Sequence, residues 1–166
     1  MTDTAQDEGA PLDGGGPARS TGYLLWHVVN LWQRRQKQVL APFQLTPVQY
    51  LLLAGLRDLR AVGDHAVTQT VLARHCRTDP MMTSQVLRVL EKQGFVARRV
   101  HDGDGRAVAV AATAAGESLV RRAADAVETA EREFFEALGP DVRAFGDALT
   151  LLTGERPRRR VPARRG

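Results

Sequence analysis

A stripe of methionine and polar side chains recurs at helical spacing over residues 81–92. If a helix begins after Asp79, then Met81, Gln85 and Arg88 share one of its faces. In a DNA major groove, Gln pairs with adenine, Arg pairs with guanine, and apolar side chains contact thymine methyl groups. The stripe therefore predicts a helix that reads double-stranded DNA. The alternative interpretation is an ordinary hydrated helix face.

The opposite face of this segment predicts how the helix is held. Four residues share that face and should point into the core: Thr83, Val86, Leu87 and Leu90. Met81 and Met82 are both expected at the surface. Base-reading side chains cluster near the N-terminus of a helix in the groove. The candidate contacts of this helix are Pro80, Met81, Met82, Ser84, Gln85 and Arg88.

Two further candidates lie at the start of a short predicted helix that precedes the stripe. Gln69 and Thr70 follow Thr68, which is best explained as an N-cap. The free backbone N–H groups and the helix dipole at this position suit a phosphate oxygen. We therefore expect Gln69 and Thr70 to contact the DNA backbone.

A third group of candidates surrounds a turn-rich segment at residues 101–105. Arg106 follows this turn, where a guanidinium can enter a narrow minor groove, and Asp104 could pair with it and fix its direction. The alternative is a surface ion pair worth about 0–1 kcal/mol. On the preceding strand Arg98 and Arg99 alternate. The pattern does not decide which of them faces DNA, and Arg99 is retained as the candidate.

Capping residues and breakers predict the elements that position these groups. Helices are expected at about 22–40, 48–60, 69–76 and 80–93, the first capped by Ser20 or Thr21 and the last ended by Gly94. The apolar residues expected inside the second and third helices are Leu51, Leu52, Leu53, Leu56, Val71, Leu72 and Cys76. The third and fourth helices, joined by about three residues, form a helix-turn-helix pattern.

The pattern changes to strand-like after Gly94, with runs at 95–100 and 106–111 on either side of the turn. Thr113 then caps a long helix, about 114–138, and a short helix follows Gly139-Pro140. The expected fold is mainly α with a small β-hairpin. It is a winged helix-turn-helix at 66–112, flanked by N- and C-terminal dimerisation helices at 20–60 and 114–153.

The stretch LARHCRTDPMMTSQVLRVLEKQGFVARRVHDGDGRAVAVAATAAG resembles the core of the MarR (multiple antibiotic resistance regulator) family of winged-helix transcription regulators. Besides the helix-turn-helix, the resemblance rests on Leu90-Glu91-Lys92-x-Gly94, Asp104-x-Arg106 and Thr113-x-x-Gly116, and it covers about residues 22–152. It implies a homodimer on a pseudo-palindromic operator, with half-sites about 10 bp apart. In similar proteins the Asp–Arg pair orients the wing arginine.

The resemblance also implies a pocket for a small-molecule effector, such as a phenolic compound, between the dimer helices and the winged helix-turn-helix. Candidates for lining it are Trp26, His27, Trp32 and Tyr50. The simpler interpretation of each is a core side chain. The expected function is therefore that of a sequence-specific transcriptional regulator. A repressor is favoured over an activator, and an effector would release it from DNA. The alternative is a winged-helix module that binds protein and not DNA.

Composition and charge bound the remaining possibilities. The 166 residues suit one unit with a net charge of +4. Residues 1–19 (−3) and 154–166 (+5) are predicted to be disordered tails; the basic tail is either a phosphate-binding or a solubilising end. The lone Cys76 and scattered histidines indicate neither disulfide nor metal site, and no cofactor or catalytic arrangement is found. The absence of a long apolar run favours a cytoplasmic protein over a membrane protein.

Overall fold

Side-chain caps start most of the helices of the structure. The structure, a computed structural model, describes residues 20–63, 67–101 and 104–155, without the side chains of residues 99–101 and 104–108. Helices α1 (Thr21–Leu40), α2 (Pro47–Val62) and α3 (Gln69–Cys76) begin at Ser20, Thr46 and Thr68, whose hydroxyls accept backbone N–H groups. Helix α4 (Pro80–Lys92) begins at Asp79 in the same way.

The second half of the described chain contains the hairpin and two more helices. Strands β1 (Val96–His101) and β2 (Asp104–Ala112) pair antiparallel, and helix α5 (Ala114–Phe135) follows directly. A 3₁₀ turn at Glu136–Asp141 leads into α6 (Val142–Leu152). The expected fold class, mainly α with a β-hairpin wing, is confirmed. The long helix ends three residues earlier than expected, because the chain tightens into the 3₁₀ turn before Gly139 and Pro140.

The wing is longer and better supported than its sequence predicts. The strands run on to His101 and Asp104, which pair with each other, so the turn expected at 101–105 is too long. Ladder pairing overrides the turn preference of Asp104 at this end of the hairpin. At the other end, Thr68 forms a bridge with Ala109, and the N–H of Val110 donates to the carbonyl of Val67 at 2.7 Å. The segment before α3 thus fastens the wing to the helix-turn-helix.

One leucine-rich core holds helices α1 to α5 and the hairpin together. Leu87 and Leu90 of α4 are fully buried against the remainder of this core, which is formed by Leu40, Leu45, Leu52, Leu53, Leu56, Leu72, Val96, Val110, Leu119, Val120, Ala123 and Val127. Two expected core residues lie outside it: Leu51 and Val71 are 42% and 39% exposed. Helical period selects Leu52, Leu53 and Leu72 for burial and turns these neighbours outward.

The end of α4, the base of the wing and the start of α5 meet at one crowded junction. The hydroxyl of Thr113 donates to the carbonyl of Gly94 at 2.7 Å and accepts the N–H of Gly116 at 3.1 Å. The N–H of Thr113 donates to the carbonyl of Phe95 at 3.0 Å. A Cβ added at Gly116 would lie 2.1 Å from that carbonyl oxygen. Only a residue without a side chain fits there, which accounts physically for the Thr113-x-x-Gly116 motif.

Membrane insertion is a separate question from packing. Among the described helices none is long and apolar enough by itself to span a bilayer, and only α1 and α2 taken together, bent by 77°, meet the length and composition test.

We predict that Gly116→Ala destabilises the protein by about 1–3 kcal/mol or more, because the new methyl group would overlap a backbone carbonyl that cannot swing away. Gly22→Ala is the matched control: it lies in α1 with nothing within 4 Å of the added Cβ. The control should leave stability unchanged or raise it by about 0.5–1 kcal/mol. Urea denaturation of both variants checks this. Equal stability of the two variants would contradict the account of the junction.

Candidate nucleic-acid interface

A hydroxyl pair and a carboxylate cap shape the turn of the helix-turn-helix. Helix α3 ends at Arg77 in the left-handed region (φ 51°), so the chain turns sharply before α4 begins. The Thr78 and Thr83 hydroxyls lie 2.8 Å apart, and Thr83 also donates to the carbonyl of Asp79 at 2.8 Å. The carboxylate of Asp79 accepts the N–H of Met82 at 2.9 Å. These bonds satisfy the buried Thr83 hydroxyl and fix the direction in which α4 leaves the turn.

Helix α4 presents the expected stripe to solvent. Met81 is 74% exposed, and Gln85, Arg88 and Lys92 are also exposed. On the opposite face Thr83, Leu87 and Leu90 are buried as expected, whereas Val86 is only half-buried. The expectation that both methionines are at the surface is wrong for Met82, which is half-buried together with Ser84. Both of these residues flank the stripe and therefore turn partly towards the body of the protein.

One apolar side chain on this face, Val89, is not among the residues predicted from the sequence. Val89 is 45% exposed and lies one turn beyond Gln85. Its helical position, next to the stripe and away from Leu87 and Leu90, could have indicated from the sequence that it is exposed on this face. An exposed valine here adds apolar surface of the kind that contacts thymine methyl groups.

The two candidates on α3 differ in their surroundings. The side-chain amide of Gln69 donates to the carbonyl of Pro80 at 3.3 Å, so it ties α3 to the first turn of α4. Pro80 and Thr70 are exposed. The structure thus brings Gln69, Pro80 and Met81 together at the N-terminal end of α4, and Thr70 is exposed in the first turn of α3.

Arg98 is the one arginine of the wing whose side chain the structure describes. Its Nε lies 3.2 Å from the carboxylate of Glu91, and its side chain is only 26% exposed. This ion pair links β1 to the last turn of α4. The candidates Arg99, Asp104 and Arg106 lie on the strands, but their side chains are outside the described residues.

The four effector candidates do not line one pocket. Trp26, 68% exposed, and His27 border a cleft of about 330 Å³ on α1 together with Arg34. Their expected core placement is wrong, because the N-terminal half of α1 extends beyond the helices that could cover it. Trp32 is half-buried, with its ring centroid 5.2 Å from that of Phe134.

Tyr50 lines a different cleft, of about 420 Å³, between α1 and α2. Its other walls are formed by Gln33, Gln36, Lys37, Pro47, Val48 and Leu51. Burial raises the pKa of Tyr50, an effect that Arg57 opposes and Glu128 reinforces, so its phenol stays protonated and able to donate a hydrogen bond. The cleft thus combines apolar wall residues with one ammonium group, one hydroxyl and two side-chain amides.

Cys76 is half-buried at the end of α3, so the sequence-based placement inside the core holds only in part. Its Sγ lies 3.6 Å from the carbonyl oxygen of Leu51. Burial raises the pKa of the Cys76 thiol, with a smaller contribution in the same direction from Asp58. A raised pKa keeps the group as the unreactive thiol at neutral pH.

Comparison with known proteins gives this geometry a context. The chain matches the profile of the MarR family over residues 45–108. It is 41% identical over 122 residues to an uncharacterised HTH-type transcriptional regulator, YdcH, of Bacillus subtilis, covering 74% of this chain and 82% of the relative. It is 31% identical over 132 residues to the HTH-type transcriptional repressor Rv2887 of Mycobacterium tuberculosis, covering 79% and 91% of the two chains.

Two solved structures superpose over most of the chain. The M. tuberculosis MarR family protein Rv2887, in complex with salicylic acid, is 30% identical with a TM-score of 0.63, over 80% of this chain and 96% of that chain. The transcriptional repressor CouR, bound to a 23-mer DNA duplex, is 26% identical with a TM-score of 0.73, over 87% of this chain and 98% of that chain.

Proposed function

The chain belongs to the MarR family of transcriptional regulators, and from this premise we propose that it is a repressor that binds a pseudo-palindromic operator as a homodimer. The observation that carries the proposal is the exposed stripe of α4, which is held by a fully buried opposite face. Its activity is DNA binding and not catalysis. Its compartment is the cytoplasm, where its DNA partner lies.

The contacts follow from how a helix-turn-helix docks on DNA. Helix α4 lies in the major groove, with Gln85 and Arg88 reading base edges and the residues of its first turn beside them. Gln69 and Thr70 approach a phosphate, and Arg106, oriented by Asp104, enters the adjacent minor groove. The full set of proposed contacts is Gln69, Thr70, Pro80, Met81, Met82, Ser84, Gln85, Arg88, Arg99, Asp104 and Arg106.

The dimer is supported by apolar surface that the described part of one chain leaves uncovered. On α1 this surface comprises Tyr23, Leu24, Leu25, Trp26, Val28, Val29 and Leu31, and at α6 it comprises Val142, Leu151 and Leu152. Contiguous exposed apolar surface of this kind marks an interaction site. A second copy would cover both helices and set two α4 helices on one side of the assembly, as a two-fold operator requires.

We predict that Arg88→Ala combined with Arg106→Ala weakens operator binding by about 1,000-fold or more. Each lost bidentate or groove contact is worth about 1–3 kcal/mol, and the dimer loses every contact twice. The operator is first obtained by footprinting DNA upstream of the chain's own gene. Fluorescence anisotropy at two salt concentrations then measures the affinity.

The matched control is Arg121→Ala combined with Arg132→Ala, which removes the same charge from exposed positions of α5. It should change affinity by less than about threefold, as rim charges do. Undiminished operator binding by the Arg88/Arg106 variant would show that these two residues do not make the proposed contacts. Absence of any DNA binding by the wild type would favour the protein-binding alternative.

We further propose that a small aromatic carboxylate binds in the cleft between α1 and α2 and releases the protein from DNA. The cleft offers the Lys37 ammonium for a carboxylate, the Tyr50 hydroxyl for a hydrogen bond, and apolar walls for a ring. Its volume, about 420 Å³, suits a ligand the size of salicylate, the molecule found with the M. tuberculosis relative. Trp26 and His27 are then part of the exposed surface of α1, and Trp32 is part of the core.

Salicylate should lower the affinity for the operator, and Lys37→Gln should raise the concentration needed for half-maximal release by about tenfold, since a charge-assisted hydrogen bond is lost. Arg34→Gln, in the neighbouring α1 cleft, is the control and should leave that concentration unchanged. Anisotropy titrations with salicylate measure both. An effect confined to Arg34→Gln would move the site to the cleft of Trp26 and His27.

A further inference from the structure

The guanidinium group of Arg98 turns from β1 towards α4 and is largely withdrawn from solvent. Its Nε lies 3.2 Å from Oε2 of Glu91, and its side chain is 26% exposed. Its Nε and Nη2 atoms are both buried, and neither donates a hydrogen bond to a described residue. Among the described residues, Glu91 supplies the only carboxylate within 4 Å of this cation. A partly buried charge with a single counter-ion depends on that counter-ion, so the pair constrains where β1 lies relative to α4.

A second attachment holds the other strand of the wing at the same level. Arg98 lies opposite Val110 in the ladder. Val110 is buried, and its N–H donates to the carbonyl of Val67 at 2.7 Å. At this rung of the ladder, β2 is held by its backbone to the segment before α3, and β1 is held by a side chain to α4.

The rest of the wing extends beyond this rung. Residue 106 lies four positions along β2 from Val110, which is about 13 Å in an extended strand. A rotation of the hairpin by about 10° at the rung would therefore move residue 106 by about 2 Å. Hydrogen bonds form only over a narrow range, about 2.7–3.2 Å between donor and acceptor. The backbone attachment of β2 alone leaves such a rotation possible, and the ion pair of β1 opposes it.

We propose that Arg98 is a positioning residue, which through its ion pair with Glu91 holds the wing at the angle at which Arg106 reaches DNA while α4 lies in the major groove. The proposal rests on the DNA-binding mode proposed above and adds to it a residue that acts without touching DNA. It gives the two adjacent arginines of β1 different functions. Arg98 is used inside the protein, and only Arg99 remains a candidate for contact with DNA.

A direct contact between Arg98 and a phosphate is the competing interpretation. Such a contact would draw the guanidinium out of its buried position and leave the carboxylate of Glu91 without its cation. Glu91 lies one helical turn beyond Arg88 on α4. An unpaired carboxylate at this position would repel the phosphates that border the groove. The ion pair neutralises this carboxylate and holds the wing at the same time, which favours the positioning function.

A double-mutant cycle between Glu91 and Arg106 tests the proposal. Glu91→Gln keeps the size of the side chain and removes the charge that holds Arg98. Although this change deletes a negative charge near DNA, it should weaken binding to the footprinted operator at least about tenfold, because the wing arginine no longer reaches its groove. In the Arg106→Ala background the same change should alter affinity by less than about twofold, since no wing contact is left to lose. Fluorescence anisotropy measures the affinities of the wild type and the three variants.

Two further comparisons separate positioning from a general loss of stability. Glu117→Gln breaks an ion pair with Arg60, between α5 and α2, and should change operator affinity by less than about threefold. Arg98→Lys can still pair with Glu91 and should stay within about threefold of the wild type, whereas Arg98→Gln should lose at least about tenfold. Urea denaturation establishes that each variant is folded.

An equal loss from Glu91→Gln in both backgrounds would indicate a direct contact or a general destabilisation, and it would overturn the positioning function. Unchanged or tighter operator binding by Glu91→Gln would overturn it as well, as would equal losses in Arg98→Lys and Arg98→Gln. With any of these results, operator binding by the wild type would leave the proposed function intact. A wild-type chain that binds no DNA would overturn both proposals.

Discussion

The carbonyl oxygen of Phe95 and the first turn of α5 approach so closely that residue 116 must have no side chain. Around this contact the backbone turns back at Gly94 (φ 76°), and the N–H of Phe95 donates to the carbonyl of Leu90 at 2.9 Å. Thr113 completes the junction with bonds to Gly94 and Phe95. These backbone contacts therefore tie α4, the wing and α5 together. Helix α5 also packs against α1, so the junction lies between the helices proposed to form the dimer and the face of α4 proposed to read DNA.

Polar contacts at the edges of the core also connect α4 to α2 and to β1. The buried Gln49 accepts the N–H of Thr46 at 2.8 Å, and its amide lies 3.5 Å from the side-chain oxygen of Gln93 just beyond α4. The pair of Arg98 with Glu91 links β1 to the last turn of the same helix. The contact between Gln49 and Gln93 thus joins α2, which forms one wall of the proposed effector cleft, to the C-terminal end of α4.

Local chemistry in the sequence accounts for most of the fold. The caps at Ser20, Thr46, Thr68 and Asp79 place four helix starts correctly, because each bond is made within three residues of chain. The period of α4 likewise separates its buried from its exposed side chains. Burial at Leu51 and Val71 was predicted wrongly, since adjacent apolar residues cannot all face inward and neighbouring elements select among them.

Contacts between residues that are far apart in the sequence cannot be predicted from these local patterns. Nothing near Arg77 or Glu155 in the sequence indicates that they meet, and the bridge from Thr68 to Ala109 joins segments 41 residues apart. The candidate site also has some features that local sequence patterns predict and others that depend on contacts between distant residues. The stripe of α4 follows from helical period, whereas the separation of Trp26 and His27 from Tyr50 depends on how α1 crosses α2. Side-chain placement of the wing candidates Asp104 and Arg106 still rests on the family resemblance.

In the proposed complex, two copies of α4 read successive turns of one DNA face. Hydroxyl-radical footprinting of the wild-type protein on its operator measures this arrangement. Two protected tracts related by two-fold symmetry are expected, with centres about one helical turn apart. A single protected tract, or uniform weak protection along the whole fragment, would contradict it.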